Sequence, residues 1–404
     1  MNQITMTTTY TAESSALAEF PACASFDEMG LNENVLRGVY GYGFEKPSAI
    51  QGLAIKPLLA GRDVLGQAQS GTGKTGAFGI NAVNRVDPDL KKTQVLILAH
   101  THELAEQISK VLTAIGSYQN IKVTLAVGGS PRHQNVRELR AGAHIVVGTP
   151  GRVCDLATSG DLRYADLRCF VLDEADEMLR DRFGDQVGDI IKLNGGLPEG
   201  CQVAFFSATM PPEVRDLATE ILTDPVRITL KVADVSLEGI KQFMVPLDDD
   251  AQKLDCICDI FESISIPQSI VFTNSKDRAE RLFKALTDRG FPVSMIYGDP
   301  MTQAVRHLRM EEFRTAKTRV LISTNLLARG IDVQGVSVVF NFDLPPFEDK
   351  ENYIHRIGRC GRFGRKGTAI SFLNPEEQSI MSMISSHYSF DVAPLPMDLK
   401  GVVG

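Results

Sequence analysis

One stretch constrains this chain more than any other: Ala68-Gln69-Ser70-Gly71-Thr72-Gly73-Lys74-Thr75. Before it, Asp63-Val64-Leu65-Gly66-Gln67 is short and apolar enough for a strand, and Gly76-Ala77-Phe78-Gly79-Ile80 after it opens a helical pattern. Strand, small-residue loop, helix is the context of a phosphate-binding loop. Backbone N–H groups of such a loop curl around phosphate oxygens at a helix N-terminus, where the dipole favours anions. On that reading Ala68 to Gly73 cradle the phosphates, Lys74 reaches the β- and γ-phosphates, and the Thr75 hydroxyl ligates Mg²⁺. The first position is Ala rather than Gly, one residue short of the general pattern. A plain Gly/Ser turn is the alternative, but such turns rarely carry Lys-Thr in this register. The expectation is a nucleoside triphosphate site.

With about 150 residues per domain as a guide, a chain of 404 residues suggests two or three domains. Its 43% hydrophobic and 23% charged residues are ordinary for a globular protein, and no run approaches the roughly 18 apolar residues of a membrane span. The first twenty residues are Thr-rich, lack Lys and Arg, and read as a loose tail, not a signal peptide. Seven scattered cysteines without a Cys-x-x-Cys pair argue against zinc and disulfides and fit a reducing compartment. Cys256 and Cys258, in an apolar helical pattern, are read as buried. The net charge of −8 argues against a wholly basic surface, yet a local basic stripe suffices for phosphate contacts.

From Phe26 the pattern is helical through Val39, and Gly43 to Ser48 breaks it. Short apolar runs then alternate with helical patterns: Val95-Leu96-Ile97-Leu98, Val123 to Val127, Ile145-Val146-Val147, Phe170-Val171-Leu172 and Val203 to Phe206. That alternation implies an α/β fold with a parallel sheet covered on both faces. It lapses from Thr223 to Gly239, the expected linker. A second set follows at Ile270 to Thr273, Val293 to Ile296, Val320-Leu321-Ile322, Val336 to Phe340 and Ala369 to Leu373. In this half Thr273-Asn274-Ser275-Lys276 stands where a phosphate loop would be. One half binds the nucleotide, and the other must do something else.

Phe170-Val171-Leu172 runs into Asp173-Glu174-Ala175-Asp176. A carboxylate ending a buried strand opposite a phosphate loop is placed to hold Mg²⁺, which assigns Asp173. Glu174 is then positioned to orient and deprotonate the attacking water. The plainer reading, an acidic helix start favoured by the dipole, weakens beside the phosphate loop. In the second half, Asn352 to Gly367 carries five Arg or Lys and no acid. Arginines from outside a phosphate-loop domain stabilise the phosphoryl transition state by about 10³–10⁵ in rate; Arg359 and Arg362 are the expected fingers. Ser207-Ala208-Thr209, before Pro211-Pro212, reads equally well as a link between the nucleotide site and the domain interface and as a helix cap.

These residues, taken in order, resemble the DEAD-box RNA helicases from about Phe26 to the C-terminus. Gly43-Phe44-Glu45-Lys46-Pro47-Ser48-Ala49-Ile50-Gln51 looks like the family's Q motif, and Ala68 to Thr75 is similar to its motif I, which has Ala first. Gly128-Gly129, Thr149-Pro150-Gly151-Arg152, Asp173 to Asp176, Ser207-Ala208-Thr209, Ala328-Arg329-Gly330-Ile331-Asp332 and His355 to Arg365 follow in the family's order. Leu237 to Phe243 and Glu351 to His355 look most like the translation-initiation branch, with the exon-junction branch close behind.

The resemblance implies two tandem RecA-like domains: a flexible tail over residues 1–24, domain 1 over 25–228, a linker over 229–241 and domain 2 over 242–404. It implies ATP and Mg²⁺ as cofactors and an RNA-stimulated ATPase that separates short duplexes. Gln51 would read the adenine edge with Phe44 against the base, and Gly330 and Asp332 would touch the nucleotide. Asp176, Ser207, Thr209 and His355 would couple the domains. Gly129, Thr149, Gly151, Arg152, Arg314 and Thr324 would contact RNA through phosphate and sugar, without sequence preference. Protein partners of the translation-initiation or RNA-processing type, a monomer, no membrane, and the cytoplasm or the nucleus are implied as well. The chain departs from the family at three places. His100-Thr101-His102 replaces Pro-Thr-Arg, so a normally cationic RNA-side position is a mostly neutral His; Asn325 replaces Asp; Cys360 occupies a variable position. The His102 departure predicts weaker RNA binding at neutral pH. Rival readings are an ATP-locked RNA clamp that serves as an assembly platform while a partner suppresses its hydrolysis, an ATPase indifferent to RNA, and a degraded ATPase, the last opposed by intact Lys74, Glu174 and Arg362.

Overall fold

The structure, a computed structural model, describes residues 10–12, 19–69, 71–180, 184–230, 240–298, 300–325, 336–360, 367–399 and 402. The chain divides into two compact units, Met1–Asp234 and Val235–Gly404.

In the first unit β1 (Tyr10–Ala12), α1 (Glu33–Tyr42) and α2 (Ala49–Leu59) precede β2 (Val64–Gln67) and α3 (Lys74–Arg85). Then come β3 (Val95–Leu98), α4 (His102–Ile115), β4 (Val123–Ala126), α5 (Arg132–Arg140), β5 (Ile145–Gly148) and α6 (Pro150–Thr158). The unit closes with β6 (Cys169–Asp173), α7 (Ala175–Arg180), α8 (Gly184–Lys192), β7 (Gln202–Ser207), α9 (Pro212–Ile221) and β8 (Val226–Leu230). The strands form one sheet ordered β1-β8-β2-β7-β6-β3-β5-β4. The expected α/β architecture is present. Every residue of β3, β5, β6 and β7 is buried, which is why each reads as a continuous apolar run. The two faces are nonetheless distinct. Val95 and Ile97 pack with Val35, Phe78 and Ile108, whereas Leu96 and Leu98 pack with Leu156, Met178 and Val187 on the other side, the period-two alternation of a pleated strand.

The second unit runs β9 (Ile240–Pro246), α10 (Asp250–Ser263), β10 (Ser269–Phe272), α11 (Lys276–Asp288), β11 (Val293–Ile296), α12 (Gln303–Arg314) and β12 (Val320–Ser323). It continues through β13 (Val338–Asn341), α13 (Lys350–Ile357), β14 (Gly367–Leu373), α14 (Pro375–Tyr388) and β15 (Ala393–Pro394). Its parallel sheet is ordered β11-β12-β10-β13-β14-β9-β15.

Four expectations need correction. The helix expected from Phe26 is a 3₁₀ turn over Phe26–Met29, ended by Gly30 at φ 78°, with Asn32 capping the separate helix α1. The tail is not wholly loose: Tyr10–Ala12 pairs antiparallel with β8, and Cys23 N–H donates to Gly52 O at 3.0 Å. The linker placed at 229–241 overlaps strands at both ends, since Thr229 and Leu230 belong to β8 and Ile240 and Lys241 to β9. Both strands are only half covered, with Arg227 and Lys241 exposed, so neither shows the continuous apolar run that marked the others. Finally, Cys258 is buried but Cys256 only partly so.

Candidate active site

In the first sheet β2, β7 and β6 are adjacent, and their C-terminal ends deliver the phosphate loop, Ser207 and Asp173 to one place. Ligands of open α/β sheets bind outside those ends. The loop is tied to its neighbour by Ala68 N–H, which donates to Ser207 O at 2.9 Å. Gly71 and Gly73 take φ of 85° and 101°, a region only glycine enters freely. The Thr72 hydroxyl donates to Gln69 O at 2.7 Å, which closes the turn, and α3 begins at Lys74 with no side chain capping it. A helix start of this kind leaves its first N–H groups for an anion. Ser70 lies outside the described residues.

Lys74 is buried, its Nζ donating to Ala68 O at 2.9 Å and lying 3.4 Å from Glu174 Oε1. Asp173 Oδ1 accepts from Glu174 N–H at 3.0 Å, and Glu174 holds a left-handed φ of 51°. Such a conformation costs on the order of 1–3 kcal/mol in a non-glycine residue and concentrates at functional sites. Burial first, then the Glu174 charge, raises the Asp173 carboxyl to about 7, while Lys74 pulls it down. A divalent cation would relieve that crowding of buried carboxylates. Hydroxyl and carboxylate oxygens are the hard donors Mg²⁺ takes, and it keeps most of its waters, so Thr75 and Asp173 fit it.

Asp176 is fully buried and bonds to both hydroxyls of Ser207-Ala208-Thr209. Its N–H donates to Ser207 Oγ at 3.1 Å, and its Oδ2 accepts from Thr209 N–H at 3.2 Å and Thr209 Oγ1 at 2.7 Å. These hydroxyls latch the acidic segment; the cap of α9 is Pro211.

The base-side residues meet the loop directly. Ser48 and Gln51 make a capping box at the start of α2, and Gln51 Nε2 donates to Gly73 O at 3.1 Å. A Cβ on Gly76 would lie 2.3 Å from Gln51 Nε2 and 3.2 Å from the Phe44 ring. Phe44 is backed by Phe26 at 6.2 Å and by Tyr42 at 4.9 Å.

At the other side of this sheet, β5 and β4 deliver the residues expected to hold RNA. Gly129 is exposed at φ 76°, Thr149 is the N-cap residue of α6, and Gly151 is exposed. Arg152 donates to Asn135 Oδ1 at 2.6 Å and to Ser130 O at 2.8 Å, so it bridges α5, α6 and the glycine loop. Ser130 and Asn135 escaped the sequence reading because only the fold sets them beside Arg152. The departing His102 is the first residue of α4, and its Nε2 would lie 3.4 Å from a Cβ on Gly128.

In the second unit Thr324 follows β12 and Arg314 is the exposed end of α12. His355 and Arg359 are both buried, and Arg359 Nε donates to His355 O at 3.1 Å. Arg356, absent from the sequence-based site, is fully buried over the Phe272 ring at 5.3 Å. Burial draws its guanidinium down to about 10 against the opposing pull of Asp343. Gly330, Asp332 and Arg362 lie outside the described residues.

Two family models match: a DEAD/DEAH box helicase domain over residues 48–217 and a helicase conserved C-terminal domain over residues 252–364. The ATP-dependent RNA helicase eIF4A of Aspergillus fumigatus is 49% identical over 377 residues, 93% of this chain and 91% of that protein. That of Schizosaccharomyces pombe is 48% identical over 379 residues, 94% of this chain and 95% of that protein. Among solved structures, S. cerevisiae Dbp5 bound to RNA and ADP BeF3 superposes with a TM-score of 0.85 at 37% identity, covering 94% of this chain and 97% of that one. A DEAD box protein from Methanococcus jannaschii has a TM-score of 0.56 at 32% identity, covering 93% and 100%. With a phosphate loop, an Asp-Glu-Ala-Asp strand end and its hydroxyl latch in one cluster, this chain belongs to the DEAD-box helicases.

Proposed function

We propose that the chain is an RNA-stimulated ATPase that locally opens short RNA duplexes, acting in translation initiation. The observation that carries the reading is the buried cluster of Lys74, Asp173 and Glu174 at the mouth of the phosphate loop. The loop amides and Lys74 bind the triphosphate. Mg²⁺, held by Thr75 and Asp173, supplies charge neutralisation on the phosphates when bound. Glu174 leaves Lys74 once phosphate takes the ammonium, and its carboxylate is then free to orient a water and accept its proton. Arg359 and Arg362 of the second unit stabilise the charge that develops as the terminal phosphoryl departs.

RNA binds through Gly129, Thr149, Gly151 and Arg152 of one unit and Arg314 and Thr324 of the other. ATP and RNA each favour approach of the two units, so each raises affinity for the other. Asp176, Ser207, Thr209 and His355 couple the two sites. Magnitudes bound the unwinding. At about 1.4 kcal/mol per stacked step, as in DNA, ten base pairs cost roughly 14 kcal/mol, whereas a micromolar ligand supplies about 8 kcal/mol. Opening of a few pairs follows; processive unwinding does not. The eIF4A relatives support the translation-initiation reading. Among the described residues no helix is long and apolar enough to cross a membrane.

The test is the ATPase rate with and without single-stranded RNA, for the wild type and Glu174→Gln. Stimulation by RNA in the first and near-silence with retained ATP binding in the second support the proposal. RNA-independent turnover in the wild type sinks it, and an RNA-bound chain whose turnover a protein partner suppresses favours the clamp.

A further inference from the structure

Three neighbouring strands of the second sheet, β12, β10 and β13, supply acceptors to one guanidinium. Arg356 Nε donates to Asn325 Oδ1 at 2.9 Å, Nη2 to Asn274 Oδ1 at 2.9 Å, and Nη1 to the backbone oxygen of Asp343 at 2.6 Å. The three acceptors are equivalent in register. Ser323, Phe272 and Asn341 face one another at the strand ends, and each acceptor lies two residues further on. The Asp343 carboxylate is engaged elsewhere, accepting from Asn274 N–H at 2.9 Å and from Arg278 Nε at 2.7 Å. Arg356 is fully buried, and each of its three nitrogens already donates to an uncharged oxygen. A guanidinium so engaged is a fastener for the helix that carries it, not a ligand for phosphate.

What it fastens is the last turn of α13. Arg359 N–H donates to Arg356 O at 3.1 Å, and Arg359 Nε to His355 O at 3.1 Å. The finger arginine thus hangs from the turn that Arg356 pins to the sheet. We propose that Asn274, Asn325 and Arg356 form a positioning set that holds Arg359 where ATP hydrolysis needs it. Asn325 acts as a neutral acceptor. The proposal rests on the ATPase reading above. Removing one acceptor leaves a buried N–H without its partner, a cost the helix relieves by shifting, and a misplacement of about 1 Å is enough for a hundredfold loss of rate.

The test uses the full chain and measures kcat and KM for ATP in saturating single-stranded RNA, with thermal melting alongside. Asn325→Asp keeps the acceptor and retains kcat within about twofold. Asn325→Leu lowers kcat by about tenfold or more with KM for ATP within about threefold. Arg356→Lys keeps the charge but cannot span three acceptors, so it behaves like Asn325→Leu. If Asn325→Leu melts below the assay temperature, Arg356→Lys decides the matter. Unchanged kcat in either folded variant, or an Asn325→Asp loss as large as that of Asn325→Leu, overturns the positioning set. Absence of RNA-stimulated turnover in the wild type is a different result and sinks the ATPase reading instead.

Discussion

Lys74 Nζ lies 3.4 Å from Glu174 Oε1, both side chains almost wholly out of solvent. The cation proposed to bind phosphate and the proposed base therefore hold one another. Glu174→Gln removes a charge and a base while keeping a side chain of the same shape. Turnover in RNA should fall by about 10²–10⁴, with nucleotide affinity equal to or tighter than wild type. Fluorescent-nucleotide titration beside the ATPase assay checks both halves, and a Glu174→Gln rate near wild type would remove Glu174 from the chemistry.

Gly76 faces Gln51 Nε2 at a distance a real Cβ never occupies. In Gly76→Ala the Gln51 amide must swing away and give up its bond to Gly73 O. The chain loses about 1–1.5 kcal/mol of stability, a fall of a few degrees in melting temperature, and the displaced Gln51 amide should raise KM for ATP several-fold. An unaltered KM would show that the Gln51–Gly73 bond plays no part in holding the nucleotide.

Thr209 Oγ1 and Ser207 Oγ are the side chains latching Asp176. Thr209→Val keeps the shape and removes one donor to a buried carboxylate, a loss of about 1.5–3 kcal/mol. The first unit should unfold at lower denaturant, and RNA stimulation of the ATPase should drop while ATP affinity stays within a few-fold. Equal loss of ATP affinity would mean that the latch serves the phosphate site itself and not the coupling.

His102 opens α4, where the dipole disfavours a cation by about 0.3–1 kcal/mol. His102→Arg should still raise RNA affinity at neutral pH, because a phosphate contact exceeds that penalty, and should steepen the salt dependence of binding. Fluorescence anisotropy with a short labelled RNA at several salt concentrations measures both. No change in either removes this residue from the RNA path.

His144 is 2% exposed, and its Nδ1 accepts from Lys122 N–H at 3.0 Å. Burial, then the Lys122 charge, holds its pKa below the ordinary 6.5. Near that pH the unfolded chain takes up a proton that the folded chain refuses. Stability from this site is complete above about 6.5 and is lost as pH falls below it, by at most about 1.4 kcal/mol per pH unit. His144→Asn keeps an acceptor and cannot titrate, so its denaturation midpoint should change less between about pH 7.5 and 5.5 than that of the wild type.

The nucleotide-side chemistry was legible wherever it is contiguous. Lys74 and Thr75 open a helix, Asp173 ends a strand with Glu174 directly after it, and each pair sits in its own short signature. Arg227 and Lys241 hid β8 and β9, because strands with one solvated face carry no continuous apolar run. Arg359 stood out in a basic, glycine-interleaved run, but its burial and its bond to His355 O depend on packing that a charge pattern does not report. Arg356 drew no notice, although Asn325 had stood out as a departure.

By itself the sequence marked most of the strands of the two sheets, the glycine loop that opens a helix at Lys74, and the short signatures that carry Asp173, Glu174 and Arg359. Those properties reside in runs of a few residues, where side-chain type and backbone period act locally. Only the tertiary structure decided which runs meet. The adjacency of β2, β7 and β6 joins residues 68, 207 and 173, and the register of β12, β10 and β13 aligns Asn325, Asn274 and Asp343 on Arg356. In a parallel sheet, neighbouring strands are joined through crossover helices that separate them widely in sequence. Their order and register are therefore set by how those helices pack, which no local spacing records.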